Sequence, residues 1–307
     1  MAELTVGAFT PSVLLAVADR IGALRARALR VREQPVPSSP AQFRSLFDGS
    51  IDAALTSPDN ALAYRFLPGN PLRRIGDVRI VLGIDRGLGL ALYGRPGHTS
   101  AADLRGGTLG VDVVASGFAF ALYELMASAG LRRERDYRLV ELGSTPRRLT
   151  ALLAGECDAT MLNAGNDLRA EDAGCPRLLR LVDVTVPYLG TVLCVAGPPT
   201  DEIRELGRAL CDTAEAIVSG AIDDLAAEEA SRLLSLSPPL ARRYVARLAD
   251  PMEGLIPGGT VDLDAMANVI ALRIRHASSG GPVADQLRGA LSEERGLVDS
   301  LAPGRSG

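Results

Sequence analysis

The segment His98–Phe118 constrains the fold more than any other part of the chain. Its sequence, HTSAADLRGGTLGVDVVASGF, predicts a short helix over Ser100–Leu104 that ends at Gly106, because glycine favours positive φ and weakens helix interiors. A short apolar strand follows over Thr108–Val111, and its composition is typical of a buried parallel strand. A new helix begins near Ser116, where its free N–H groups can meet an anion or another polar ligand. The segment therefore predicts an α/β fold with a polar site beyond a strand end.

The same alternation of strand and helix occupies the chain on both sides of this segment. LFDGSIDAALTSPDN in the first part and LLAGECDATMLNAGN in the second share one pattern: a helix, a glycine, a strand that begins Asp-Ala, and a polar loop. This shared order predicts two structurally similar lobes rather than a tandem sequence repeat, each lobe a mostly parallel sheet flanked by helices. The expected division is residues 1–92 for the first part of lobe 1, 93–190 for lobe 2, and 191–307 for a return to lobe 1 with C-terminal helices.

The C-terminal part has apolar residues at helical spacing almost throughout. The predicted helices are Asp201–Ser219, Asp223–Leu234, Pro238–Ala249, Leu263–Ala277 and Val283–Leu301.

Composition excludes several classes of partner. The net charge of −4 gives no reason to expect a nucleic acid or an anionic membrane as a partner, and no apolar run of about 18 residues predicts membrane insertion. The four cysteines form no CxxC pair and lie in apolar surroundings, so we expect buried free thiols, no metal site and no cofactor.

The N-terminal sequence MAELTVGAFTP has neither a basic n-region nor an apolar h-region. This absence of a signal peptide favours a cytoplasmic location. The alternative is an exported protein from which a leader has been removed.

Ligands of open α/β sheets bind beyond the carboxyl ends of the strands. Five loops there carry small polar or aromatic residues, and we expect all five to meet in one cleft. Hydroxyl and amide groups beside helix N-termini suit an anionic or zwitterionic ligand, although helix capping uses the same residue types. The candidate ligand-binding residues in these loops and elsewhere are Phe9, Thr10, Pro11, Ser57, Asp59, Asn60, Arg86, Ser116, Gly117, Phe118, Ser144, Asn163, Asn166 and Tyr188.

Two of these candidates allow specific chemistry. Asp59 could bind an ammonium group or act as an acid or base, or could simply stabilise a helix N-terminus. Arg86 could pair with a carboxylate or sulfonate, or could be a solvated loop residue. The two histidines, His98 and His276, do not follow strands of the first lobe, so a histidine base in the cleft is not expected.

The sequences ADLRGGTLGV, RLTALLAGECDATML and YLGTVLCVAG, in this order, resemble the substrate-binding proteins of the alkanesulfonate, nitrate and thiamine-precursor group. The resemblance spans residues 3 to 275 and implies a type II periplasmic-binding-protein fold, with a ligand held between two lobes. Cytoplasmic enzymes also share this fold. The desulfinases among them use an early first-lobe cysteine, whereas the first cysteine of this chain is Cys157.

Two functions follow as hypotheses. The first is a substrate-binding protein that closes on a small organic anion or zwitterion and passes it to a permease if the protein is exported. The second is a cytoplasmic lyase, decarboxylase or hydrolase on the same scaffold, and a ligand-sensing module is a third possibility. The catalytic residues of such an enzyme stay unassigned.

Overall fold

The computed structural model describes residues 1–277 and 281–301. Their strands form two five-stranded sheets, in the orders β2-β1-β3-β10-β4 and β7-β6-β8-β5-β9. The strands are β1 (Ala2–Ala8), β2 (Leu29–Pro35), β3 (Ala53–Thr56), β4 (Val78–Asp85), β5 (Ala91–Gly94), β6 (Thr108–Val111), β7 (Arg138–Glu141), β8 (Ala159–Leu162), β9 (Arg177–Arg180) and β10 (Thr191–Ala196).

The two sheets have equivalent topologies. In each sheet four strands run in one direction, and the fourth strand in the spatial order, β10 or β5, runs antiparallel to both of its neighbours. The two similar sequence patterns noted above form equivalent parts of the two sheets, β3 and β8 with the helices before them. The expectation of two similar, mostly parallel sheets flanked by helices is confirmed.

Helices cover both sheets and make up most of the C-terminal part. They are α1 (Val13–Arg20), α2 (Ala23–Ala26), α3 (Ser39–Phe47), α4 (Pro58–Phe66), α5 (Gly117–Ser128), α6 (Thr145–Leu153), α7 (Asn166–Asp172), α8 (Asp201–Val218), α9 (Asp223–Leu234), α10 (Pro238–Leu248), α11 (Leu263–His276) and α12 (Gly281–Arg288). Ala101–Leu104, Leu181–Asp183 and Pro257–Gly259 are short 3₁₀ helices.

The predicted helix over Val283–Leu301 is wrong beyond Arg288, where α12 ends. The chain leaves α12 through two 3₁₀ turns, Gly289–Leu291 and Glu293–Arg295, and Gly296 then has a φ of 56°. Val298 pairs in parallel with Ile80, and Asp299 forms ion pairs with two arginines. The segment is extended because it hydrogen-bonds along the free edge of β4, which a continued helix could not do.

Two crossing segments connect the sheets, one between β4 and β5 and one between β9 and β10. They meet at Asp85 and Gly190, where the Gly190 N–H donates to the Asp85 carbonyl at 2.9 Å. A Cβ atom on Gly190 would lie 2.3 Å from Asp85 Oδ1, so only glycine allows this approach. The same Oδ1 accepts from the Gly87 N–H at 2.8 Å, and burial raises the pKa of the Asp85 carboxyl to about 6.

The C-terminal helices join the two halves through two buried ion pairs. Arg273 of α11 binds both oxygens of Asp59 in α4, at 2.6 and 2.8 Å, and donates to the Ala115 carbonyl before α5 at 3.2 Å. Arg247 of α10 pairs with Asp167 of α7. Each aspartate is the second residue of the helix that follows β3 or β8, and both aspartate side chains are fully buried.

We expect Arg273→Met to lower the free energy of unfolding by about 3–5 kcal/mol, because it leaves the Asp59 carboxylate buried without its partner. The double variant Asp59→Asn with Arg273→Met should recover part of that loss. Arg275→Met is the matched control, since Arg275 lies on the same helix in an exposed ion pair with Glu124 and should cost less than about 1 kcal/mol. Urea denaturation measures all three variants, and equal effects of the two arginine substitutions would contradict the prediction.

The Asp85 carboxyl predicts a specific pH dependence of stability. Its pKa is raised from 3.8 to about 6, so between these pH values the folded protein keeps a proton that the unfolded chain releases. The stability contributed by Asp85 is therefore present at low pH and is lost as the pH rises through 6. Relative to wild type, Asp85→Asn should gain up to about 3 kcal/mol between pH 4 and pH 7 in urea denaturation. A difference that does not change with pH would refute this assignment.

Candidate functional site

A cavity of about 120 Å³ lies between the two sheets, beyond the carboxyl ends of β1, β3, β6 and β8. All five of the loops that the sequence analysis singled out contribute to its wall, so their expected meeting is confirmed. The expected residues on the wall are Phe9, Thr10, Pro11, Ser57, Asn60, Ser116, Gly117, Phe118, Ser144 and Asn163. Their contact with a ligand stays a prediction.

Four expected residues lie behind the cavity wall rather than on it. The carboxylate of Asp59 faces Arg273, and Arg86 Nη1 donates to the Leu255 carbonyl at 2.7 Å. Asn166 Nδ2 donates to Thr10 Oγ1 at 3.3 Å, and Tyr188 is 6% exposed within the main apolar core. These four side chains contact other parts of the protein as described, and none of them lines the cavity.

The serines at the helix N-termini divide into two kinds. Ser12, Ser57 and Ser116 accept a hydrogen bond from the first turn of their own helices, at 3.2, 3.3 and 3.3 Å. For Ser57 and Ser116 the capping role considered above is therefore present. Ser144, at the start of α6, forms no such side-chain bond, although it is buried in the same wall. The three capping serines keep their O–H donors, whereas the Ser144 hydroxyl has no bond to its own helix at all.

Asn60 and Asn163 are anchored to the protein through their amide nitrogens. Asn60 Nδ2 donates to Thr56 Oγ1 at 2.9 Å, and Asn163 Nδ2 donates to the Gly87 carbonyl at 3.0 Å. The second bond ties the loop after β8 to the segment that crosses between the sheets. Both side chains thus have fixed orientations on the cavity wall.

Arg148, which is not among the residues expected from the sequence, is the cation of the cavity wall. Arg148 is 2% exposed, and it donates from Nη1 to the Gly143 carbonyl and from Nη2 to Thr145 Oγ1 and the Met161 carbonyl, at 2.6, 3.0 and 3.2 Å. Its Nε is buried without a hydrogen-bond partner, and within the described ranges Arg148 forms no ion pair. Burial lowers the pKa of the guanidinium to about 10, which leaves it charged at neutral pH. A signal existed, because Arg148 shares the helix face of Ala151 and Leu152, where an apolar residue is usual.

Asp112 follows β6 and also lines the cavity. Its Oδ2 accepts from Ser39 Oγ at 3.1 Å, across the gap between the two sheets, and its Oδ1 is buried without a partner. Burial raises the pKa of this carboxyl, while the charge of Arg148 lowers it in part. Arg148 and Asp112 therefore give one wall of the cavity a cation and a carboxyl group, each with an unused hydrogen-bonding atom.

The rest of the wall is largely apolar, and a ligand with a hydrocarbon part could be accommodated there. Its apolar and aromatic members include Phe9, Leu55, Ile84, Leu88, Phe118, Tyr244, Leu248 and Leu255. Over residues 1–277 and 281–301, no group of three or more histidine, cysteine or acidic side chains is arranged to hold a metal ion. In the same residues, no helix combines the length and the hydrophobicity needed to cross a bilayer.

Comparison with solved structures finds this fold in several bacterial proteins. A protein of Bordetella bronchiseptica has a TM-score of 0.74 and 17% identity, over 94% of this chain and 97% of that protein. The nitrate-binding protein NrtA of Synechocystis PCC 6803 has a TM-score of 0.73 and 11% identity, over 98% and 92%. The alkanesulfonate-binding protein SsuA of Xanthomonas axonopodis pv. citri, bound to MOPS, has a TM-score of 0.69 and 18% identity, over 88% and 91%.

No curated protein matches the sequence. Residues 24–236 match the model of a family described as the phosphonate, periplasmic substrate-binding protein of ABC transporters. That match covers more than half of the chain and agrees with the type II periplasmic-binding-protein fold of the structural neighbours. The chain belongs to this family of ABC-transporter substrate-binding proteins.

Proposed function

We propose that this protein binds a small organic anion in the cavity between its two sheets and delivers it to an ABC importer. The family assignment supports the receptor role. The fold neighbours whose names state a ligand bind alkanesulfonate or nitrate, and the family description names phosphonate. All three are anions, which is consistent with a cation in the cavity wall.

The observation that carries the proposal is the environment of Arg148. A buried guanidinium with no carboxylate in direct contact is costly, because burial removes its hydration and the charge of Asp112 compensates it only from beyond 4.0 Å. The three oxygens that accept from Arg148 are neutral. An anion in the cavity would add a second opposite charge beside the guanidinium, so binding would offset part of the cost of burying it.

The family is periplasmic, so the proposal favours the exported alternative over the cytoplasmic location expected from the N-terminal sequence. A transporter permease is then the protein partner. The comparisons do not favour the alternative of an enzyme on this scaffold, because the family and the fold neighbours whose names state a ligand are binding proteins.

Arg148→Met should weaken the binding of an anionic probe by at least about thirtyfold, because the anion would lose its buried charged partner. Calorimetry with ethanesulfonate, propionate, nitrate and methylphosphonate at constant ionic strength measures the affinities. Arg147→Met is the matched control, since Arg147 is the exposed neighbour on α6 and its loss should leave binding within about twofold.

Thermal unfolding without a probe tests whether the Arg148 variant is folded, and Arg148→Lys keeps the charge if Arg148→Met unfolds. The proposed function is wrong if none of the four probes binds the wild-type protein. It is also wrong if Arg148→Met binds the probes as tightly as the wild type and Arg147→Met do.

Two serines of the cavity wall should separate ligand contact from helix capping. Ser144→Ala should reduce affinity by about five- to tenfold at little cost in stability, because its hydroxyl makes no cap bond. Ser116→Ala should instead lower the free energy of unfolding by about 1 kcal/mol, because it removes the cap of α5. Calorimetry and urea denaturation of the same samples measure both quantities, and the reverse pattern would contradict the assignment.

A further inference from the structure

The two crossing segments connect the sheets on one side of the molecule. They join β4, β5, β9 and β10, which lie at one end of the strand order in each sheet. The strands at the opposite ends are β2 and β7, and the loops after these two strands line an outer groove of about 500 Å³. A rotation of the two halves about the crossings would therefore move the contacts beside this groove more than those near the crossings.

Asp112 lies where the outer groove meets the cavity. Among the described residues, it alone lines both spaces. Its Oδ2 accepts from Ser39 Oγ at 3.1 Å, and Ser39 belongs to the first half, whereas Asp112 follows β6 in the second. The Ser144 N–H of the cavity wall donates to the Pro37 carbonyl of the groove at 3.1 Å, also between the halves. Two hydrogen bonds between the halves therefore lie at the junction of the groove and the cavity.

The first turn of α3 explains why Asp112 binds there. The N–H groups of a first helical turn have no partner within the helix and attract a carboxylate. Pro40 has no N–H and the Ala41 N–H donates to Ser38 Oγ at 3.4 Å, which leaves the Ser39 N–H for Asp112. Burial raises the pKa of the Asp112 carboxyl, while the hydroxyl and the N–H of Ser39 lower it in part. A carboxylate of one half is thus held at the start of a helix of the other.

We propose that the hydrogen bond between Ser39 and Asp112 is a latch that controls how fast a ligand enters and leaves the cavity through the outer groove. This inference rests on the proposed function, since it concerns exchange with the same cavity. Ser39 is 1% exposed and is absent from the described residues that line the cavity, so it acts on exchange without touching the ligand. Because the bond breaks for passage in either direction, it slows association and dissociation alike and changes affinity little.

The first test measures exchange of ethanesulfonate, propionate or methylphosphonate, whichever binds the wild-type protein. NMR exchange spectroscopy gives the dissociation rate constant, calorimetry gives Kd, and their ratio gives the association rate constant. Ser39→Ala should raise both rate constants at least about fivefold and leave Kd within about twofold, because a hydrogen bond to a charged group is lost on the route. Loss of a ligand contact would instead raise the dissociation rate constant alone.

Ser38→Ala is the matched control for Ser39→Ala. It removes the cap of the same helix, but the Ser38 side-chain bond stays within α3, so both rate constants should remain within about twofold of wild type. Asp112→Asn should raise the dissociation rate constant as Ser39→Ala does. The double variant with Ser39→Ala should be no faster than the faster single variant, because both substitutions remove one and the same bond.

The second test needs no ligand. Spin labels on Arg44→Cys in α3 and Leu153→Cys in α6 report the distance between the halves, since both positions are exposed and lie outside the groove lining. Cys211→Ser removes the partly exposed native thiol, and the other three cysteines are buried. Without a probe, Ser39→Ala should raise the fraction of molecules with a longer separation at least about threefold over wild type, whereas Ser38→Ala should not.

The outcomes separate this inference from the proposed function. If a probe binds with the expected dependence on Arg148 but Ser39→Ala leaves the association rate constant unchanged, the receptor function stands and the latch is overturned. The latch is also overturned if Ser39→Ala and Ser38→Ala give the same distances between the labels. If no probe binds but Ser39→Ala lengthens these distances, the proposed function is wrong and the latch between the halves stands.

Discussion

The buried ion pair between Asp59 and Arg273 determines where the two halves of this molecule lie. It connects the helix after a strand of the first sheet to a C-terminal helix, and the same guanidinium also holds the carbonyl of Ala115, just before the first long helix of the second sheet. Bidentate geometry and a third hydrogen bond offset the desolvation of two charges. The pair between Asp167 and Arg247 does the same at the equivalent helix of the other sheet. These two attachments connect helices on opposite sides of the cavity.

The cavity combines two kinds of polar group, which act differently on an anion. The helix N-termini and their serines provide partial charges at low cost, because most of their hydrogen bonds are satisfied within the protein. Arg148 provides a full charge that burial has deprived of water, so the proposed binding of an anion would improve its environment. Binding energy should therefore come mainly from one guanidinium, while the neutral groups determine the orientation of the ligand and which shapes fit.

The sequence predicted those features that depend on neighbouring residues. Strands, helix starts and their glycine ends follow local rules, and the loops after equivalent strands must meet once two similar sheets face each other. Pairings across the chain were not predictable in this way. Asp59 and Arg273 are 214 residues apart, and a carboxylate at a helix start looks the same whether its partner is a ligand or an arginine. Arg148 could have been identified by its position on the apolar face of its helix. The extended end of the chain could not, because it depends on the edge of a distant strand.

The exchange of strands between the sheets has a consequence for dividing the gene. Each sheet contains one reversed strand, Ala91–Gly94 or Thr191–Ala196, and the chain enters each of these strands directly from the opposite sheet. A cut in the chain at either crossing would separate strands that belong to the same sheet. The edges of central strands would then be exposed, which favours aggregation. Split reporters or isolated halves of this receptor therefore need both crossings intact, whereas new termini are better placed in surface loops within one half.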